Sequence, residues 1–149
     1  MPNEGAYSGL RVLDLGQGVA APYCAMLLAM QGAEVVKLEP REGDWSRGLG
    51  TCHGGAHTAM SAHYNRGKRS VALDLKSPAG REAALLLADR ADIVIESFRP
   101  GVADRLGLGY EALAARNPRL LYLRSAALAR LAPMPSCRAP IRWRRLFPG

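Results

Sequence analysis

A turn rich in small residues near the N-terminus carries the clearest binding chemistry in the sequence. The segment Gly16-Gln-Gly-Val-Ala-Ala21 lies between a short apolar run and a helical pattern, and Glu39 follows 21 residues after Gly18. Glycines at such a turn let a pyrophosphate approach a helix N-terminus, and an acid at this distance hydrogen-bonds a ribose hydroxyl. The pattern indicates a nucleotide-binding turn. The alternative is an ordinary strand-to-helix turn that needs small residues, and Pro22 removes one N–H group.

A second set of residues has metal-binding chemistry but poor spacing. Cys52, His53 and His57 lie in a glycine-rich stretch, and thiolate and imidazole both bind zinc. No second ligand pair accompanies them, so the sequence predicts no metal site. Cys24 lies in an apolar helical pattern and is interpreted as a small core residue.

The elements that must position the turn alternate between strands and helices. Strands are predicted at Leu10–Leu15, Glu34–Glu39, Ser70–Leu75, Asp92–Glu96 and Arg119–Leu123, and helices at about Pro22–Gln31, from Pro78 after the capping Ser77, and at Tyr110–Arg116. This alternation predicts an α/β fold, a Rossmann-like open parallel sheet with flanking helices on both faces. Residues 40–60 show no sustained period and are expected to form a long loop over the carboxyl ends of the strands.

The positive charge of the chain is concentrated at its C-terminal end. The net charge is +7, from 20 basic and 13 acidic residues, and six of the arginines and none of the acids follow Tyr122. Residues 1–122 are therefore nearly neutral. The basic character belongs to the tail and does not predict a nucleic-acid partner for the folded part.

Composition also bounds the cellular setting. The three cysteines are irregularly spaced, and residues 1–8 are short and polar, without the features of a signal peptide. No apolar run approaches the roughly 20 residues that span a bilayer. We therefore expect a cytoplasmic protein that has no membrane partner.

Two dense segments resemble a known family. Gly9–Asp44 and Lys68–Leu113 are similar, in order, to the N-terminal part of the family III CoA-transferases, the group that includes L-carnitine dehydratase-type proteins and α-methylacyl-CoA racemase. Between them, Asn65-Arg-Gly-Lys-Arg-Ser70 resembles the family's Asn-Arg-Asn-Lys-Arg-Ser, with Gly67 in place of the second asparagine. The resemblance names a ligand, coenzyme A, which composition does not.

The resemblance also implies which residues bind CoA. They lie at the turn after the first strand and after the following strands: Val19, Ala20, Arg41, Leu73, Lys76, Ser97, Phe98, Arg99 and Arg105. The adenosine 3′-phosphate and pyrophosphate of CoA are strongly anionic, so Lys and Arg at strand ends suit this ligand. Taken one at a time, each basic residue is more often a solvated surface charge.

By the same resemblance, the chain lacks the residues that perform the reaction. In the family an aspartate attacks the acyl-CoA thioester and later carries CoA as an aspartyl thioester, which the acceptor carboxylic acid resolves. That aspartate, and the racemases' histidine and acid, match positions downstream of Leu123. We therefore predict a CoA-binding fragment with no catalytic residue. The alternatives are an acyl-CoA racemase fragment, an NAD-dependent oxidoreductase domain and a non-functional truncated product.

The tail does not fit the family pattern. We divide the chain into an N-terminal arm (1–8), a nucleotide-binding portion (9–123) and an irregular basic tail (124–149). With suitable codons, another reading frame of Leu123–Pro133 encodes Ala-Ile-Ser-Gly-Phe-Gly-Gln-Thr-Gly-Pro, the stretch that usually follows the fifth strand in this family. We therefore hypothesise a frameshift and expect a disordered tail. Family members form intertwined homodimers, and the resemblance leaves the oligomeric state of this chain open.

Overall fold

The computed structural model describes residues 5–53 and 57–125. In chain order the elements are β1 (Arg11–Asp14), α1 (Ala20–Met30), β2 (Glu34–Glu39), a 3₁₀ turn (Trp45–Gly48), β3 (Cys52–His53), β4 (His57–Thr58), α2 (Ala59–Asn65), β5 (Arg69–Ala72), α3 (Pro78–Asp89), β6 (Ile93–Glu96), α4 (Val102–Arg105), α5 (Tyr110–Arg116) and β7 (Leu121–Arg124). Five of these strands form one parallel sheet, in the spatial order β5-β2-β1-β6-β7.

Helices cover both faces of this sheet. Successive strand residues point to opposite faces, so Val12 packs with Ala21 and Ala25 of α1. Its neighbour Leu13 packs on the other face, with Ala84 of α3. Strands that are buried on both faces have nearly continuous apolar sequences, as the central strands of this sheet do. The predicted parallel α/β fold with flanking helices is confirmed.

The long loop predicted for residues 40–60 contains more structure than expected. It holds the 3₁₀ turn, the antiparallel pair β3 and β4, and the start of α2. Thr58 and Ser61 form a reciprocal capping box at the N-terminus of α2. A capping box usually has Glu or Gln at the third helical position, where this helix has Ser61. The start of α2 was therefore hard to recognise in the sequence.

Several boundaries differ from the predictions by a few residues. The third strand of the main sheet ends at Ala72 rather than at Leu75. Asp74 begins a tight turn there, because its side chain accepts the Lys76 N–H (2.9 Å) and its carbonyl accepts the Ser77 hydroxyl (2.8 Å). The fifth strand includes Arg124, which the sequence had placed in the tail. Residues 126–149 of the predicted tail, and with them the frameshift and disorder hypotheses, lie outside the described residues.

Candidate functional site

A cleft of about 460 Å³ lies at the carboxyl ends of the strands. Four of the residues that were predicted to bind CoA line it, and they come from three different strand ends: Arg41 after β2, Leu73 and Lys76 after β5, and Phe98 after β6. Arg41 and Lys76 are exposed, whereas Leu73 and Phe98 are half-buried. The cleft therefore combines exposed cationic side chains with apolar, half-buried ones.

The other predicted residues do not line this cleft. Val19 and Ala20 lie at the start of α1 and are exposed, and Arg99 and Arg105 are exposed beyond β6. Ser97 is used internally, because its hydroxyl accepts the Gln17 N–H at 3.0 Å. That bond joins the turn after β1 to the turn after β6, the two strands between which the sheet order reverses. Gln17, which the sequence analysis did not single out, does line the cleft.

Phe98 is held in place by a buried carboxylate. Glu96, at the end of β6, accepts the Phe98 N–H at 2.6 Å through Oε2 and a bond from Arg124 through Oε1. Burial and the neighbouring Glu96 charge raise the pKa of Tyr122 to about 12. Arg124 thus belongs to the support of the site, a role that the sequence analysis missed by assigning it to the tail.

A buried charge cluster, defined here as Asp14, Lys37, Asp44 and Lys68, lies behind the turn after β1. Lys37 Nζ is 3.0 Å from Asp44 Oδ2 and 3.9 Å from Asp14 Oδ2, and it also donates to the Gly16 carbonyl. Lys68 Nζ donates to Asp14 Oδ2 (2.8 Å), the Pro22 carbonyl (2.8 Å) and Asn65 Oδ1 (3.0 Å). Burial lowers the pKa of Lys68, although Asp14 opposes the shift.

Asp44 completes the turn itself. Its two carboxylate oxygens accept the Gly18 N–H at 3.0 and 3.1 Å, and its Oδ1 also accepts the Ser46 N–H at 2.9 Å. Asp44 was not among the site residues predicted from the sequence. Its only signal was an acid followed by a tryptophan in a segment without periodicity, which is a common surface pattern.

Glu39 has a structural partner where the dinucleotide fingerprint needs a free acid. Arg47 donates to it twice, from Nε to Oε2 at 2.7 Å and from Nη2 to Oε1 at 2.6 Å, and Ser70 donates to Oε1 at 3.1 Å. Burial opposes ionisation of Glu39, but the bonds from Arg47 and from the Asp44 N–H outweigh it and lower the pKa to about 2. Its carboxylate is therefore committed to the loop and not to a ribose hydroxyl.

Two of the residues considered for a metal site, Cys52 and His57, contact Arg47. The Cys52 thiol lies 3.4 Å from the Arg47 carbonyl, and His57 Nδ1 lies 2.9 Å from Arg47 Nη1. Within residues 5–53 and 57–125, no three His, Cys, Asp or Glu side chains are grouped so as to hold a metal ion. Among the same residues, none of the helices has the length and apolar character required to cross a bilayer.

Comparison with known proteins decides the family. The profile of CoA-transferase family III matches residues 7–134. The chain belongs to CoA-transferase family III. This confirms the resemblance read from the sequence, and the match extends beyond Leu123 into the segment that was predicted to be an irregular tail.

Individual members of the family are similar over most of this chain. Succinyl-CoA:mesaconate CoA-transferase of Haloarcula hispanica is 46% identical over 126 residues, which cover 79% of this chain and 31% of the relative. Acetyl-CoA:oxalate CoA-transferase of Acetobacter aceti is 39% identical over 132 residues, covering 88% of this chain and 34% of the relative. The orthorhombic crystal structure of Rv3272 from Mycobacterium tuberculosis matches with a TM-score of 0.77 and 40% identity, covering 88% of this chain and 37% of that one.

This chain therefore spans about a third of the length of the curated relatives that it matches, and it corresponds to their N-terminal portion.

Proposed function

We propose that this chain supplies the CoA-binding portion of a family III CoA-transferase, an enzyme that moves CoA between an acyl-CoA thioester and a carboxylic acid. The observation that carries the proposal is the cleft itself, where Arg41 and Lys76 meet the apolar side chains of Leu73 and Phe98. Family membership makes CoA the ligand class to test first.

The two kinds of surface suit the two parts of the CoA nucleotide. Leu73 and Phe98 offer apolar and aromatic contact to the adenine ring, which stacks favourably on such surfaces. Arg41 and Lys76 offer charged donors to the phosphates. Glu42 and Asp74 also line the cleft. The Asp74 carboxylate already accepts the Lys76 N–H, so it orders the turn that carries this lysine.

The other residues that the sequence predicted to bind CoA form part of the same proposal. Val19, Ala20, Ser97, Arg99 and Arg105 lie outside the cleft wall and would act on parts of CoA that extend beyond it, or by positioning the turns. The substrates would be an acyl-CoA and a carboxylic acid, bound by a cytoplasmic protein without a metal. None of residues 1–149 matches the family's aspartate nucleophile, so the proposed role of this chain is binding.

The test is a comparison of ligands by isothermal titration calorimetry. We expect the 149-residue chain to bind CoA more tightly than NAD, because Gly18 and Glu39, the two features that a dinucleotide would use, are engaged by Asp44 and Arg47. Tighter binding of NAD would overturn the proposal in favour of the oxidoreductase alternative. Absence of CoA binding by a folded chain would overturn it in favour of the non-functional product.

Variants locate the binding. Lys76→Ala and Arg41→Ala should each weaken CoA binding by about tenfold, the loss expected for one charge-assisted hydrogen bond. Arg90→Ala is the matched control, because Arg90 is exposed after the far end of α3 and lines a separate surface depression. An equal loss in the control would show that the affinity reflects net charge and not the cleft.

A further inference from the structure

We propose that Asp44 is a specificity-determining residue: its carboxylate is a built-in anion that occupies the turn after β1 and directs a phosphate-bearing ligand away from that turn, to the cleft lined by Arg41 and Lys76. That the ligand is CoA rests on the proposed function. The occupation of the turn by Asp44 is independent of the proposed function.

Three polar groups that could receive an anion converge on the Asp44 carboxylate. The Gly18 N–H and the Ser46 N–H donate to it, and the Lys37 ammonium lies 3.0 Å from Oδ2. In doubly wound folds, backbone N–H groups at this turn, where a helix begins, hold the pyrophosphate of a dinucleotide. Here a side chain of the same polypeptide takes the bonds that a bound phosphate would take.

The charge balance of the buried cluster supports this assignment. Two lysines and two aspartates cancel, and all four side chains are almost completely buried, with side-chain exposures of 1% for Lys37 and Lys68 and 0% for Asp14 and Asp44. A buried charge is tolerated when it is paired. An additional phosphate at the turn would leave the cluster with unbalanced negative charge in a low-dielectric site.

Packing closes the same position sterically. A Cβ placed on Gly18 would lie 2.2 Å from Cζ2 of Trp45, so the indole ring already rests against the turn. Gly18 has a φ of +78°, in the left-handed region that favours glycine. The glycine is therefore explained by Trp45 and the backbone conformation, without a ligand that approaches it.

The first test uses the unchanged chain labelled with ¹⁵N. The Gly18 amide should exchange with D₂O at least about tenfold more slowly than the exposed Gly50 amide, because its N–H is bonded in a buried site. Its cross-peak should not move when sodium pyrophosphate is added. Fast exchange of Gly18, or a saturable pyrophosphate shift of its cross-peak, would overturn the proposal.

The second test removes the built-in anion. Asp44→Ala should bind pyrophosphate at least about tenfold more tightly than the unchanged chain does, with the shift at Gly18, since the vacated donors include a buried ammonium. Glu82→Ala removes the same charge from an exposed side chain of α3 that does not line the cleft, and should leave the Gly18 cross-peak unmoved. A folded Asp44→Ala that gains no affinity would contradict the proposal. If this variant does not fold, the measurements on the unchanged chain still decide.

A CoA titration separates this inference from the proposed function. If both hold, CoA shifts the cross-peaks of Lys76 and Phe98 and leaves the slow exchange of the Gly18 amide unchanged, because the bond to Asp44 persists. A CoA titration that shifts neither Lys76 nor Phe98 rejects the proposed function alone, and the pyrophosphate experiments then judge Asp44. Displacement of Asp44 by CoA, seen as faster exchange of the Gly18 amide, rejects the inference while leaving CoA binding intact.

Discussion

Arg47 holds Glu39 with two parallel hydrogen bonds, of 2.7 Å from Nε to Oε2 and 2.6 Å from Nη2 to Oε1. The pair fastens the 3₁₀ turn that begins at Trp45 to the end of β2. The same carboxylate accepts the Asp44 N–H at 2.8 Å, so this one contact also orients the residue that occupies the glycine turn.

The Glu39 carboxylate should make stability depend on acid pH. Its folded-state pKa is about 2, below the value of about 4.3 expected in an unfolded chain. A depressed pKa contributes stability that is fully present above the unfolded value and is lost as pH falls through the folded one. The contribution is at most about 3 kcal/mol. In urea unfolding, the free-energy difference between the unchanged chain and Glu39→Gln should shrink from pH ~5 to pH ~2. A constant difference would contradict this account.

Two adjacent basic residues should differ sharply in their effect on stability. Lys68→Met leaves buried Asp14 with Lys37, at 3.9 Å, as its one cationic partner among the described residues. The substitution should lower the free energy of unfolding by about 3 kcal/mol, as breaking a buried pair does. Arg69→Met removes the Arg69 and Glu34 pair, whose side chains are 73% and 62% exposed. It should cost less than about 1 kcal/mol. Chemical denaturation measures both, and equal effects would show that the Lys68 contacts contribute little.

Packing of Trp45 against the turn predicts an unequal pair of glycine substitutions. Gly18→Ala and Gly50→Ala both place a side chain at positive φ, but the new methyl meets Trp45 only at Gly18, and open space at Gly50. Both substitutions should lower the free energy of unfolding by about 1 kcal/mol because of the backbone conformation. Gly18→Ala should lower it further, because the Trp45 ring must move. Thermal unfolding compares them, and a loss at Gly50 as large as that at Gly18 would argue against the contact.

The chain should form no covalent acyl intermediate. By the family resemblance, the nucleophile corresponds to a position downstream of Leu123, so we expect none of the aspartates of residues 1–149 to attack a thioester. Incubation with acetyl-CoA or succinyl-CoA followed by hydroxylamine should leave every aspartate unmodified in peptide mass spectrometry. A hydroxamate mapped to any of them would place the nucleophile in this chain after all.

Local patterns in the sequence were sufficient to predict the class of fold and the family. The runs Leu10–Leu15 and Glu34–Glu39, separated by an apolar helix, predict parallel strands because a crossover helix returns the chain to the same end of the sheet. Four residues predicted to bind CoA also meet in one cleft. They do so because the carboxyl ends of parallel strands share one edge of the sheet.

Tertiary structure alone decided what occupies the glycine turn. Asp44 is 26 residues from Gly18 along the chain and reaches it only because the segment after β2 folds back over the end of β1. The burial of Lys37, beside its apolar neighbours in β2, likewise depends on where Asp14 and Asp44 lie in space. The sequence therefore determined the five strands of the main sheet and the helices α1, α3 and α5, since these follow from local periodicity. The assignment of the turn's N–H group to an internal carboxylate instead of a phosphate was decided by long-range packing and charge balance, which no local pattern encodes.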